Sequence, residues 1–373
     1  MDIDKQLPLL GGLSPSTFMR RHWQKKPLLV RQAWPGVVPP LARKELFVLA
    51  GDEDVESRLV TRLGQQWQLR EGPMPRHAMP PLSRPGWTLL VQGLDLHVQA
   101  AHQMLQAFRF VPDARLDDLM VSWASPGGGV GPHLDAYDVF LLQVQGRRRW
   151  RVGQVKEPQW VENAPLKRLQ NFKPEFDWVL EPGDMLYLPP NWGHDGVAVG
   201  GDCMTCSVGF RAPRADELAR DLLLRLGDEE LMSSALYRDT RQPATAAPAA
   251  VPSDLLAFAQ AAVIKRLAEP QWLERALGET LTELKPRVWF TGSGQEAGAH
   301  GVRLSPRSKM LYDAGHIFIN GQALQASGRD ATLMRRLADQ RELSAADIRR
   351  LSLGARDLLG QWLDDGWVQG NMP

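Results

Sequence analysis

The chain has 373 residues, enough for two or three domains of ordinary size. Hydrophobic residues make up 43% and charged residues 23%, which excludes a disordered or fibrous chain and allows a sizeable core. The 44 basic and 43 acidic side chains leave a formal net charge of +1, so no global field draws the chain to nucleic acid or to a lipid surface.

The opening MDIDKQLPLLGGLSPSTF lacks the basic region and long apolar run of a signal peptide. Nowhere do about eighteen apolar residues run together, so no membrane span is expected. Two cysteines, Cys203 and Cys206, make no disulfide framework. A reducing, cytoplasmic setting is the expectation.

In chain order, SPSTFMRRHWQ (14–24) reads as a capped helix and KKPLLVRQAWPG as a short strand stopped by Pro35 and Gly36. From about 40 to 110 the pattern is mostly helical, clearest in LARKELFVLAG and LHVQAAHQMLQAF. Within it, 60–63 and 67–70 form a hairpin around Gly64, and 87–91 a further strand. Between 117 and 211, short apolar runs alternate with the turn clusters SPGGGVGP, VQGRRR, EPGD and PPNWG, the mark of an all-β barrel or sandwich. Trp123, Trp150, Trp178 and Trp192 fall there as packing residues among thirteen tryptophans.

After Pro213 come helices over ADELARDLLLRLG and EELMSSALYRD, an Ala/Pro-rich connector at 242–253, and helices at 254–267 and 272–284. From about 286, VWFTG, GVRLS and HIFING read as strands, the last two flanking 311–313. Asn320-Gly321 marks a hairpin turn before QAL. Helices follow over ATLMRRLADQ, SAADIRRL (capped by Ser344) and ARDLLGQWLDDGW, completing a small mixed domain.

Chemistry concentrates in PGGGVGPHLDAYDVF. His133 and Asp135, two apart on a strand, leave the same face. His194, 59 residues beyond Asp135 in LEPGDMLYLPPNWGHDGV, supplies a third ligand. Two imidazoles and one carboxylate form the facial triad of non-haem iron(II), with open positions for a bidentate cosubstrate and O2. Structural zinc, which takes four closed ligands and commonly thiolates, fits poorly.

If a hairpin turns at Gln145-Gly146, the next strand puts Arg148, Trp150 and Val152 on the inner face and Arg147, Arg149 and Arg151 on the outer one. A buried guanidinium needs a partner, and its planar fork suits a bound dicarboxylate. The alternative is that all four arginines form a solvated basic face or meet nucleic-acid phosphate.

These residues carry a resemblance. HWQKKPLLV (22–30), PGGGVGPHLDAYDVF (126–140), GRRRWRVG (146–153), EPGDMLYLPPNWGH (181–194) and SVGFRAP (207–213) make the chain similar to the bacterial ribosomal oxygenases of the JmjC, cupin-type class. The resemblance implies an α+β chain: a JmjC double-stranded β-helix over 1–211, a helical dimerisation region over 212–285, and a winged-helix-like domain over 286–373. It implies iron(II) on His133, Asp135 and His194, with 2-oxoglutarate and O2 as cosubstrates and Arg148 holding the far carboxylate of 2-oxoglutarate. It also implies arginine hydroxylation of the sixteenth large-subunit ribosomal protein by a homodimer. JmjC demethylation of methylated lysine or arginine is the neighbouring alternative. A non-enzymatic cupin sensor with a nucleic-acid-binding winged helix is a more distant one.

Ser122, on MVSWA, is a further candidate cosubstrate contact, and Tyr137, sharing parity with Asp135, a candidate substrate contact. Asp138 falls on the opposite face and stays outside the site. Cys203 and Cys206 match CxxC, but on a strand they point to opposite faces and lack a second pair for zinc. His22, His77, His97, His102, His300 and His316 read as surface or capping residues. From Pro286 onward eleven Lys/Arg face nine Asp/Glu, a poor footprint for direct duplex binding.

Overall fold

The computed structural model describes residues 2–228, 235–240, 242–268, 271–292 and 300–371. Two compact units divide the chain, Met1–Ala212 and Pro213–Pro373. Among the described residues no helix is long and apolar enough to cross a membrane.

The first unit runs α1 (Pro15–Arg21), β1 (Leu28–Val30), α2 (Arg43–Leu49), β2 (Ser57–Leu63), β3 (Gln66–Glu71), β4 (Trp87–Val91), α3 (Gln99–Gln106), β5 (Leu116–Ala124), β6 (Val139–Gln154), β7 (Phe176–Leu180), β8 (Met185–Leu188) and β9 (Trp192–Phe210). Ser14 caps α1 by accepting from the Thr17 amide at 3.2 Å, as its sequence signature requires. The nine strands form one antiparallel sheet in the order β1-β8-β6-β9-β5-β4-β2-β3, with β7 also on β6. β2 and β3 are the hairpin expected around Gly64, and β4 is the further strand expected at 87–91. There, Leu59, Leu89 and Val91 bury against Trp87, Trp123 and Phe47, the packing that holds these strands in the sheet.

No hairpin turns at Gln145-Gly146. β6 is one strand of sixteen residues paired along its length with β9, and the register shifts twice between Gln143 and Arg147. Gly146 sits at φ +62°, and a Cβ there would lie 2.2 Å from the Asp202 carbonyl oxygen. A positive-φ glycine serves a bulge as well as a turn, and the long partner strand decides for the bulge. The inner and outer faces nevertheless fall where alternation placed them.

The second unit holds α4 (Ala215–Asp228), α5 (Ser253–Leu267), α6 (Trp272–Thr282), β10 (Val302–Leu304), β11 (Met310–Tyr312), β12 (His316–Ile319), β13 (Gln322–Gln325), α7 (Gly328–Gln340), β14 (Glu342–Leu343), α8 (Ala345–Arg350), α9 (Leu353–Asp364) and β15 (Val368–Gly370). Its strands form two three-stranded sheets, β14-β10-β15 and β11-β12-β13. Asn320 and Gly321 take φ +48° and +84° between β12 and β13, the paired positive φ of a tight hairpin. Leu333, Leu337, Trp362 and Val368 build its core. Ser344 accepts from the Asp347 amide and caps α8. VWFTG is not a strand: Arg287 at φ +66° and a Val288-to-Lys285 turn take it out of extended pairing. Of EELMSSALYRD, 229–234 lies outside the described residues and 235–239 is not helical. The Ala/Pro-rich connector over 242–252 carries no regular element.

Two histidines expected at the surface are buried. His102 is 8% exposed on α3 and bonds Gln106, and His316 is 5% exposed and bonds the Asp313 carboxylate at 3.2 Å. A neighbouring polar partner, invisible to ligand spacing, is what makes each burial tolerable.

Candidate metal and cosubstrate site

β6, β9 and the loop before β6 assemble the site. His133 and Asp135 lie on that loop rather than on a regular strand. The loop is clipped to β9 by paired backbone bonds between His133 and His194, at 3.0 and 2.9 Å. His194 stands opposite Val152 in the β6–β9 register. The ligand atoms of His133, Asp135 and His194 all lie within 4.8 Å of one another, a gathering of His, Cys, Asp or Glu found once among the described residues. The His194 Nε2 is 3.5 Å from the Asp135 Oδ2, and the two imidazole centroids are 4.1 Å apart.

Each imidazole is oriented through its other nitrogen. His133 Nδ1 lies 2.9 Å from the Gly131 carbonyl and His194 Nδ1 lies 3.1 Å from the Trp192 carbonyl. A carbonyl only accepts, so Nδ1 carries the proton and both Nε2 lone pairs are free for a metal. Burial and the adjacent His133, against the pull of Asp135, press the His194 pKa down to about 4, which keeps it neutral at pH 7. Two imidazoles and one carboxylate, without thiolate, suit a ferrous ion.

A cavity of about 410 Å³ opens onto this cluster and is also lined by Arg148, Ser122 and Tyr137. Arg148 is 4% exposed, while Arg147, Arg149 and Arg151 on the other face are exposed. Its Nη1 donates to Ser122 Oγ at 2.8 Å and its Nε to Cys203 Sγ at 3.4 Å. The guanidinium lies 5.7 Å from the Trp150 ring centre. Its Nη2 has no partner, and no carboxylate among the described residues pairs with it. An uncompensated buried cation costs several kcal/mol, and an anion placed in the cavity would compensate it. A carboxylate-ended cosubstrate fits it.

Tyr137 is 41% exposed on the loop after Asp135, at the rim of the same cavity. Asp138 is fully buried outside it, accepting from Tyr187 at 2.6 Å and Gln24 at 3.0 Å. Cys203 and Cys206 are both buried and free. Cys206 belongs to the main aromatic core, whereas Cys203 lies behind Arg148.

Sequence reasoning passed over Asp117 and Asp118 on β5, and Arg58 and Gln92 near β2 and β4, all of which line the cavity. Asp118 is 6% exposed and accepts from the Gly93 amide at 2.9 Å. The signal for Asp118 was present: it shares parity with Met120 and Ser122. Arg58 and Gln92 had none: Arg58 on β2 and Gln92 just after β4 fall outside the expected strands at 60–63 and 87–91, and no motif marks them.

Comparison with known proteins bears on the whole chain. Residues 103–218 match the JmjC domain and residues 265–369 the ROXA-like winged helix. The chain is 37% identical over 267 residues to the ribosomal protein uL16 3-hydroxylase of Escherichia coli, covering 71% of this chain and 70% of that one. It is 38% identical over 211 residues to a probable ribosomal oxygenase of Haemophilus influenzae, covering 55% of this chain and 52% of the relative. The solved structure of the E. coli ribosomal oxygenase in complex with cobalt and 2-oxoglutarate superposes with a TM-score of 0.81 at 29% identity, over 95% of this chain and 97% of that one. With its antiparallel JmjC sheet and C-terminal winged helix, the chain belongs to the ribosomal oxygenase family.

Proposed function

We propose that this chain is an iron(II)- and 2-oxoglutarate-dependent oxygenase that hydroxylates an arginine side chain of large-subunit ribosomal protein uL16. The observation that carries it is a single cavity joining two features: the His133, Asp135 and His194 cluster, and the unpaired Nη2 of buried Arg148. His133, Asp135 and His194 would hold the iron, and Arg148, steadied by Ser122, would pair the far carboxylate of 2-oxoglutarate. Iron bound there supplies O2 activation coupled to decarboxylation of 2-oxoglutarate to succinate. The chain's own part is to hold both imidazoles aimed, to orient the cosubstrate, and to exclude bulk water from the inner cavity. At the rim, the Asp117 and Asp118 carboxylates and the Tyr137 ring match a guanidinium substrate in charge and shape.

Incubating the protein with iron(II), 2-oxoglutarate and a uL16 peptide should add one oxygen to an arginine, seen by mass spectrometry, only when 2-oxoglutarate is present. Succinate without peptide oxidation would keep the iron site and discard the target. Formaldehyde released from a methylated peptide would shift the reading to demethylation.

The working form is proposed to be a cytoplasmic homodimer that does not bind nucleic acid directly. Supporting the dimer, α5 buries none of its residues, and Leu256, Val263 and Ile264 on it are more than half exposed, a surface suited to a partner helix. Ile264→Glu should convert a dimer to a monomer in light scattering, and a monomeric native protein would contradict the assignment.

A further inference from the structure

Resting on the reading of Arg148 as the carboxylate-pairing residue, we infer that Cys203 is a positioning residue that sets the Arg148 guanidinium for 2-oxoglutarate. A guanidinium carries five N–H groups in one plane, so two bonds on different nitrogens fix where that plane points. Ser122 takes Nη1 and Cys203 takes Nε, leaving Nη2 and the second N–H of Nη1 to the cavity. Both holding groups are neutral. A carboxylate in either place would compensate the charge that must attract the cosubstrate, whereas a hydroxyl and a thiol orient it without neutralising it.

The bulge puts the sulfur there. β6 passes so close to β9 at Gly146 that a Cβ would lie 3.0 Å from the Cys203 Cα and 2.2 Å from the Asp202 oxygen. The thiol is fully buried beside Ala124 and Ala198, and among the described residues Arg148 is the donor it accepts from. Its companion Cys206 lies in the apolar core and does no equivalent work. The pair that resembles a CxxC redox motif is thus one packing residue and one guanidinium holder.

The test uses full-length protein loaded with manganese(II) and titrated calorimetrically with 2-oxoglutarate. Pyruvate, a 2-oxo acid lacking the far carboxylate, is measured in competition. Cys203→Ala should weaken 2-oxoglutarate roughly tenfold, the size of one charge-assisted bond, and leave pyruvate unchanged. Cys203→Ser should restore near-native affinity, while Cys203→Val, which fills the space without accepting, should behave like Cys203→Ala. Native 2-oxoglutarate affinity in Cys203→Ala or Cys203→Val would overturn the inference, as would an equal loss for pyruvate. Arg148→Ala separates the two claims: if it too binds 2-oxoglutarate normally, the Arg148 reading fails. If it alone loses affinity, only the role of Cys203 falls.

Discussion

Beyond the bulge at Gly146, the two faces of β6 put the same residue type to opposite uses. On the outer face Arg149 is 52% exposed at its side chain and pairs with Asp177 at 2.5 Å. On the inner face Arg148 is 4% exposed, held by a hydroxyl and a thiol, and meets no acid. The outer pair is a solvated contact of the kind that contributes little to stability. The inner guanidinium is expensive to bury, and under the proposed function the far carboxylate of 2-oxoglutarate would complete it. Side-chain type says only that four arginines sit within five residues. Parity, burial and the missing partner single out Arg148 as the candidate.

The comparison can be broken from its inner end. His133→Ala or Asp135→Ala should take peptide oxidation to background while the melting transition stays cooperative; retained turnover in either variant would misplace the metal. Arg148→Ala should raise the 2-oxoglutarate dissociation constant at least about a hundredfold, since stripping a buried ion pair of one partner costs roughly 3–5 kcal/mol. Calorimetry reads this directly, and Arg148→Lys should recover only part of it, because an ammonium lacks the planar fork. Asp118→Asn should raise the KM for the arginine peptide about tenfold by removing one charge-assisted contact, with 2-oxoglutarate binding unaltered. A change in both would place Asp118 on the cosubstrate instead. The smallest effect is on the outer face: Arg149→Ala should leave 2-oxoglutarate affinity and turnover as they were, and a loss comparable to that of Arg148→Ala would erase the distinction between the faces.

Much of the site was legible because its geometry follows from period two and from donor chemistry. Arg148, Trp150 and Val152 are inward in the sequence pattern and buried in the structure. Ser122 and Tyr137 border the same cavity as the three clustered side chains. The route to the geometry differed in two places. His133 and Asp135 converge from a loop clipped to β9 rather than from a regular strand. Gly146 bends a continuous strand rather than reversing it, a choice set by a partner strand more than forty residues away. The strands at 60–63, 67–70 and 87–91 were legible too and are β2, β3 and β4. Less legible was the burial of His102 and His316 beside local polar partners. Signals at turns and caps, such as Ser14, Ser344 and Asn320-Gly321, are local and survived intact.

The most direct test of the central claim is a crystal structure of the protein grown with manganese(II) and 2-oxoglutarate. The account predicts the metal between His133 Nε2, Asp135 and His194 Nε2, chelated by the 2-oxo acid, with the far carboxylate on Arg148 Nη2 and Ser122. A metal elsewhere, or a far carboxylate resting on Arg58 while Arg148 Nη2 stays unpaired, would contradict it.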